Sequence, residues 1–373
     1  VRADDDRALL ALEAIFEAAS ADHDLYRVIK LRGENAKTDD ERRAIYAKEA
    51  RLLDVKLEQR SDAIEVYERI LDLGLDPDAI AALSRLYASE ARWDDLVVLY
   101  ERQLAADGLG AEAKAALHHS LGGVRESRLD DAERAFDEYV VALALVPQHP
   151  PTVAALEALM GRPAHAARAA ELLESVYLAR HEWRKVMGTI EARLGASQDP
   201  HERGELLRRL SRLEEEQGDD LKAALEVAAR LLAEDVTDED TWAELERLAR
   251  GANAEQRLAE IYAAELEKLS SDGPESAKLS ARTGELFERL GDVDRALTFF
   301  RRAYAWNPEE QEASFAAIDR LLAKAGRPNE RVALYREALD HRHETEPRVA
   351  TLHTIATIQE SELKDDDAAI ETY

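Results

Sequence analysis

Ten histidines and no cysteines restrict any acid–base or metal chemistry in this chain to imidazoles and carboxylates. His118-His119 is an adjacent pair inside a helical stretch. Neighbours on a helix point ~100° apart and make poor joint ligands. His341 and His343 lie beside Glu344, and His181 and His201 each precede a glutamate, but none forms the HExxH spacing of a zinc hydrolase. These histidines read as solvated residues near helix ends. The acidic clusters Asp4–Asp6, Glu214–Glu216 and Asp365–Asp367 sit at turns or helix ends without the glycine-centred loop of a calcium site. They read as N-capping or solvated faces. Gly108-Leu109-Gly110 and Gly122-Gly123 lack the preceding strand and following lysine of a phosphate loop. Without cysteine there is no disulfide, thiolate metal site or cysteine nucleophile. The expectation is a non-catalytic chain with no cofactor and no metal.

The elements that would position such residues are helices. Hydrophobic residues make up 46% of the chain and aromatics only 6%, so burial rests on Ala, Leu, Val and Ile, as in close-packed helices. Sixteen glycines and ten prolines are few for long irregular loops, and period-two alternation of β-branched residues is absent. The fold class expected is all-α. Lys and Arg number 50 against 78 Asp and Glu, a net charge of −28. That charge repels nucleic-acid backbones and anionic lipid and favours basic partners. No apolar run reaches the ~18 residues of a membrane span, and residues 1–20 are acidic, unlike a signal peptide. The lack of cysteine fits either side of a bacterial inner membrane, with the cytoplasm slightly favoured. The Ala- and Arg-rich vocabulary suits a GC-rich bacterial genome.

The clearest pattern runs from Thr283 to Pro308. It reads as two short helices around a Gly291-Asp292 turn, with Gly284, Phe287, Ala296, Phe300 and Ala303 at fixed spacing and Pro308 closing the unit. Gly284 and Ala296 are small so that two backbones can approach. Phe287 and Phe300 fill the wedge beside them. Gly291 supplies the positive φ of a sharp helix end, and Pro308 stops the helix. A second-helix anchor recurs at Ile29, Tyr67, Tyr100, Phe136, Ile190, Val227, Tyr262, Phe300, Tyr335 and Tyr373, at intervals of 33–38 residues apart from one of 54 between Phe136 and Ile190. Residues 151–161 read as a helix inserted there, the alternative being a degenerate repeat whose two helices carry no recognisable anchor. Two classes of turn alternate, so the building block is a two-repeat module: Val227, Phe300 and Tyr373 are each 73 apart. Trp93 and Trp183 start second helices of one class and read as packing residues between units.

This spacing resembles the tetratricopeptide repeat over nearly the whole chain, in the manner of large bacterial multi-repeat proteins. The resemblance implies a right-handed α-solenoid of stacked antiparallel helix pairs. It would be one continuous array over 1–373 with about ten repeats, cut at both ends and so part of a longer chain. It also implies that first helices line a groove for a partner peptide or helix. Carried over position by position, the groove includes Ile45, Lys48, Leu52, Val55 and Lys56, then Asp78, Ala81 and Arg85, then Lys114, Leu117, Leu121 and Arg125, and finally Lys278, Ala281, Glu285, Glu288 and Arg289. Lysine followed one turn later by asparagine, which grips a C-terminal carboxylate in that family, is missing: Lys48 is followed by Leu52.

A similar inner position carries Arg85, Arg212, Arg247 and Arg320. With Lys48, Lys56, Lys114 and Arg125 these form either a ladder receiving an acidic or amphipathic partner segment, or ion pairs with the abundant Glu and Asp of the same or neighbouring helices. The functional expectation is a protein–protein interaction scaffold without nucleic-acid binding or membrane insertion. The alternatives are a docking arm of a larger enzyme or envelope machine, and an RNA-binding helical repeat, which the net charge disfavours.

Overall fold

A computed structural model describes residues 6–269 and 273–373. Asp4 and Asp5 of the N-terminal acidic cluster lie outside the described residues. Among the described residues there are helices and turns and no strand. The chain divides into two compact units, Val1–His165 and Ala166–Tyr373.

Unit 1 holds four helix pairs: α1 (Asp6–Ala18) with α2 (Asp22–Asn35), α3 (Asp39–Val55) with α4 (Arg60–Asp72), α5 (Pro77–Ser89) with α6 (Trp93–Leu104), and α7 (Ala111–Arg128) with α8 (Ala132–Leu145). A ninth helix, α9 (Pro150–Met160), stands outside the pairing and packs on α7 and α8. It falls within the 54-residue interval between Phe136 and Ile190.

Unit 2 holds six pairs: α10 (Ala166–Ala179) with α11 (Trp183–Ala196), α12 (Pro200–Glu216) with α13 (Leu221–Glu234), α14 (Glu239–Ala252) with α15 (Glu255–Lys268), α16 (Pro274–Leu290) with α17 (Val293–Trp306), α18 (Glu312–Lys324) with α19 (Pro328–His341), and α20 (Thr345–Ile358) with α21 (Asp366–Thr372). A π-helical turn, Gln359–Leu363, extends α20.

Each pair is made by the same turn. Ser20, Glu58, Ala91, Asp130, His181, Asp219, Asn253, Gly291, Gly326 and Lys364 each sit between the two helices of a pair with φ of +51° to +81°. The backbone closes behind them in the same way. The Asp292 N–H donates to Phe287 O at 2.9 Å, and the Arg92 N–H donates to Tyr87 O at 2.9 Å. Such bonds satisfy carbonyls that the helix end would leave bare. A short acidic side chain often starts the second helix: Asp131, Asp220, Asp292 and Asp365 each accept a backbone N–H two or three residues on. Asp365 thus caps a helix, as the sequence suggested for that cluster.

Within a pair, a small residue faces a ring. A Cβ added at Gly284 would lie 2.9 Å from Phe300 Cδ1, and one at Gly122 would lie 2.5 Å from Tyr139 Cε1. The rings of Phe287 and Phe299 stack, centroids 5.6 Å apart. Phe287, Ala296, Phe300 and Ala303 are all buried, and Pro308 lies in the turn after α17. Ala296 is fully buried, so Ala296→Leu forces extra volume between packed helices. It is expected to lower stability by about 1–3 kcal/mol, read by thermal unfolding of the whole chain. An unchanged midpoint would remove Ala296 from the contact.

Two anchors depart from the pattern. Tyr373 is exposed. At Arg331, where other pairs place a small or aliphatic residue, the guanidinium reaches Asp319 at 2.8 Å and also pairs with Glu362.

Candidate functional site

The first helices α1 and α3 of unit 1, with the second helix α2 between them, build one cleft of about 570 Å³. Helix α3 starts at Thr38, whose hydroxyl accepts the Glu41 N–H. Its 3.6-residue period puts Lys48, Leu52 and Val55 on a shared face. The floor is Leu25 and Ile29 from α2 with Leu52 and Val55 from α3, and the rim is Lys48, Arg51, Lys56, Glu17 and Asp22. Val55 is 67% exposed, an apolar β-branched side chain presented to water at the end of a helix. Lys48 Nζ donates to Glu13 Oε1 at 2.7 Å, and Arg32 pairs with the other oxygen. Burial works to raise the Glu13 carboxyl, but hydrogen bonds from Lys48 and Arg32 hold it below its ordinary 4.5. Glu13 therefore stays ionised beneath the cleft and fixes Lys48 at its edge.

Next to Lys48 in the sequence, and about 100° round the helix, α3 carries a buried carboxyl, Glu49, 1% exposed. Neither of its oxygens has a hydrogen-bond partner, and Arg69 Nη2 stands 3.8 Å away. Burial pushes this carboxyl above 4.5, outweighing the pull of Arg69 and Lys30. A folded-state value above the unfolded one means that Glu49 costs stability as pH rises through and beyond 4.5. Glu49→Leu is expected to stabilise the chain by about 1–4 kcal/mol near pH 7, with the gain shrinking towards pH 4.5. Urea unfolding at the two pH values reads it. A loss of stability would show that the Arg69 pair outweighs the burial.

The cations singled out in the sequence fall into two groups. Five have carboxylate partners on another helix. Lys48 pairs with Glu13 and Arg85 with Asp54. Arg125 pairs with Glu101 at 2.8 Å and with Glu138. Arg247 forks onto both oxygens of Glu215 at 2.7 and 2.5 Å, and Arg320 reaches Glu288 at 2.8 Å. Lys56, Lys114 and Arg212 have no ion pair among the described residues. Arg212 lines a smaller cleft with Arg208, Asp240 and Glu244. The pairs Arg85–Asp54, Arg247–Glu215 and Arg320–Glu288 span 31, 32 and 32 residues, about one repeat, so they tie α5 to α3, α14 to α12 and α18 to α16. Of the other first-helix positions, Lys278 pairs with Glu239 at 2.9 Å, and Glu285 and Arg289 line a mixed-charge cleft with Glu246 and Arg282.

His118 and His119 are not solvated. Helix α9 covers this part of α7, and His118 Nδ1 lies 2.6 Å from Glu138. His119 packs between Tyr139 and His149, with ring centroids 6.0 and 5.7 Å away and its Nδ1 buried without a partner. Burial, reinforced by His149, lowers the pKa of His119 below 6.5. His149, which the sequence did not mark, caps α9 and contacts Thr152 Oγ1 at 2.8 Å. Among the described residues no three His, Asp or Glu side chains gather as a metal site, and no helix is long and apolar enough to cross a membrane.

Residues 79–112, which cover most of α5, all of α6 and the turn beyond, match the family model of the tetratricopeptide repeat. These residues carry a tetratricopeptide repeat. The matched repeat is one whose turn residue, Ala91, is not glycine, while the unit with the fullest set of spaced residues is α16–α17. Among solved structures, a tetratricopeptide repeat protein from Parabacteroides merdae is 15% identical, over 74% of this chain and 98% of that one, with a TM-score of 0.25. The Naa15/Naa10 assembly bound to HypK-THB is 13% identical over 98% of this chain and 58% of that one, TM-score 0.31. YrrB, described as a tetratricopeptide repeat protein with an unusual peptide-binding site, is 18% identical over 52% and 87%, TM-score 0.22. The curated proteins give no match.

Proposed function

We propose that this chain is an array of tetratricopeptide repeats and a non-catalytic scaffold that holds a partner polypeptide on its first-helix face, with the α1–α3 cleft of unit 1 as the principal anchor point. The observation that carries the reading is the cleft floor. Leu25, Ile29 and Leu52 lead out to an exposed Val55, flanked by Lys48 and Lys56. A floor of this kind suits an apolar side chain of an amphipathic segment, and the unpaired Lys56 suits an acidic residue beside it. Lys114 is another sequence-marked cation of unit 1 without a carboxylate partner, and we assign it to the same face as a secondary contact; Arg212, in unit 2, we assign to partner contacts of that unit's own first helices. Arg85, Arg125, Arg247 and Arg320 hold neighbouring helices and contribute to partner binding only by exchanging carboxylates.

The test is selection of helical peptides from a displayed library on the intact protein, followed by affinity measurement on variants. Val55→Glu, at an exposed site, is expected to weaken selected peptides by about 10–100-fold with thermal unfolding unchanged. Lys56→Glu is expected to weaken chiefly peptides with an acidic residue next to the apolar anchor. Equal affinity for wild type and Val55→Glu would overturn the assignment.

A further inference from the structure

A second cleft, of about 510 Å³, lies wholly in unit 2 where the ends of α17, α18, α19 and α20 meet. Its floor is aromatic: Tyr304 and Phe315, both buried, with ring centroids 5.6 Å apart, and Phe315 backed edge-on by Tyr335 at 5.1 Å. Pro308 and Pro347 form part of the wall, and Glu309, Glu312 and Glu344 stand at the mouth. Elsewhere in unit 2 many exposed or half-buried glutamates are taken up by arginines: Glu215 by Arg247, Glu226 by Arg257, Glu246 by Arg282, Glu288 by Arg320. The three at this cleft are exposed and have no ion pair among the described residues. One guanidinium, Arg342, lies 5.3 Å from the Phe315 centroid and is held by Thr351. The chain already uses this floor for a cation, and the mouth keeps an excess of negative charge.

We propose that this cleft receives a lysine or arginine side chain from a basic segment of a partner polypeptide. The aliphatic stem of such a side chain covers aromatic surface while its charged head stays at the rim among carboxylates. The −28 net charge of the chain draws a basic segment towards it. An acidic or phosphate-bearing ligand meets three unpaired carboxylates and is disfavoured. The site is separate from the unit 1 cleft and does not depend on it.

The experiment uses the intact protein and a fluorescent decapeptide, Gly-Lys-Gly-Ala-Lys-Arg-Ala-Lys-Gly-Ala, with an analogue carrying glutamine at every basic position. The triple variant Glu309→Gln, Glu312→Gln, Glu344→Gln is compared with a charge-matched control at exposed positions of unit 1: Glu65→Gln, Asp107→Asn, Glu112→Gln. The expected result is binding of the basic peptide only, weakened about tenfold or more by the cleft variant and little by the control. Val55→Glu is expected to leave it unchanged. Equal weakening by both triple variants would mean attraction by net charge alone and would overturn the proposal, as would no weakening by the cleft variant. Displacement by spermidine as effective, charge for charge, as displacement by unlabelled peptide would assign the site to free polyamines and also overturn it.

Discussion

Replacing Phe300 by alanine lowers the stability of the α16–α17 pair by about 3–5 kcal/mol. The ring is buried and fills the space that Gly284 leaves open, its Cδ1 only 2.9 Å from where a Cβ would stand. Glycine alone permits that approach, so no neighbouring side chain can move in to close the hole. The cavity persists, and the cost lies at the upper end for large-to-small changes. In a stack, each pair rests only on its neighbours. Amide hydrogen exchange is therefore expected to lose protection first in α16 and α17 and then in α15 and α18. A uniform small loss over the whole chain would contradict a local interlock.

Trp242→Ala is expected to cost a similar ~3–5 kcal/mol, centred on α14 and α15. Trp242 is fully buried. Its indole N–H donates to Val236 O at 2.9 Å, and Tyr262 Oη donates to the Trp242 carbonyl at 3.1 Å. Arg282 lies 5.6 Å from the ring centroid. Truncation removes the largest buried side chain of this region and strands the Val236 carbonyl. Trp242→Phe keeps most of the volume and loses the hydrogen bond, so it separates the two contributions. It is expected to cost about 1–3 kcal/mol. Thermal unfolding with exchange mapping reads both, and a milder Ala than Phe variant would refute the packing account.

Trp242 also shows what the sequence conceals. Trp93 and Trp183 stand out by heading second helices, yet both are only half-buried. One lies beneath Arg128 and the other against His181. Trp242 is concealed only from a reading that tracks second-helix anchors: with Leu245 it forms the W-x2-L that opens the repeat pattern, and Leu245, Leu248 and Tyr262 surround it. The repeat period and the Gly284–Phe300 contact were legible because glycine and phenylalanine are rare here and fall in phase. The turns were legible only in part. Eight of the ten left-handed positions carry Ser, Glu, Ala, Asp, His, Asn or Lys, each tolerating roughly 1 kcal/mol of strain. Glycine marks only two of them, Gly291 and Gly326.

At the candidate site, sequence position placed Lys48, Leu52, Val55 and Lys56 on one face, and the cleft gathers them. What α1 and α2 bring to that cleft had no family marker to announce it. The pairing of Arg85, Arg247 and Arg320 had a signal: a carboxylate 31 or 32 residues upstream, about one repeat. The environment of His118 and His119 had none, because it is created by α9, a helix outside the repeat pattern.

The first-helix face is the heart of this account, and site-specific photocrosslinking tests it most directly. A benzophenone side chain is placed either at Val55, in the α3 cleft, or at Val98, 61% exposed on the second helix α6, and each protein is irradiated with a library-selected peptide. The account predicts strong crosslinking from position 55 and little from position 98. Crosslinking from 98 equal to or above that from 55 would contradict it.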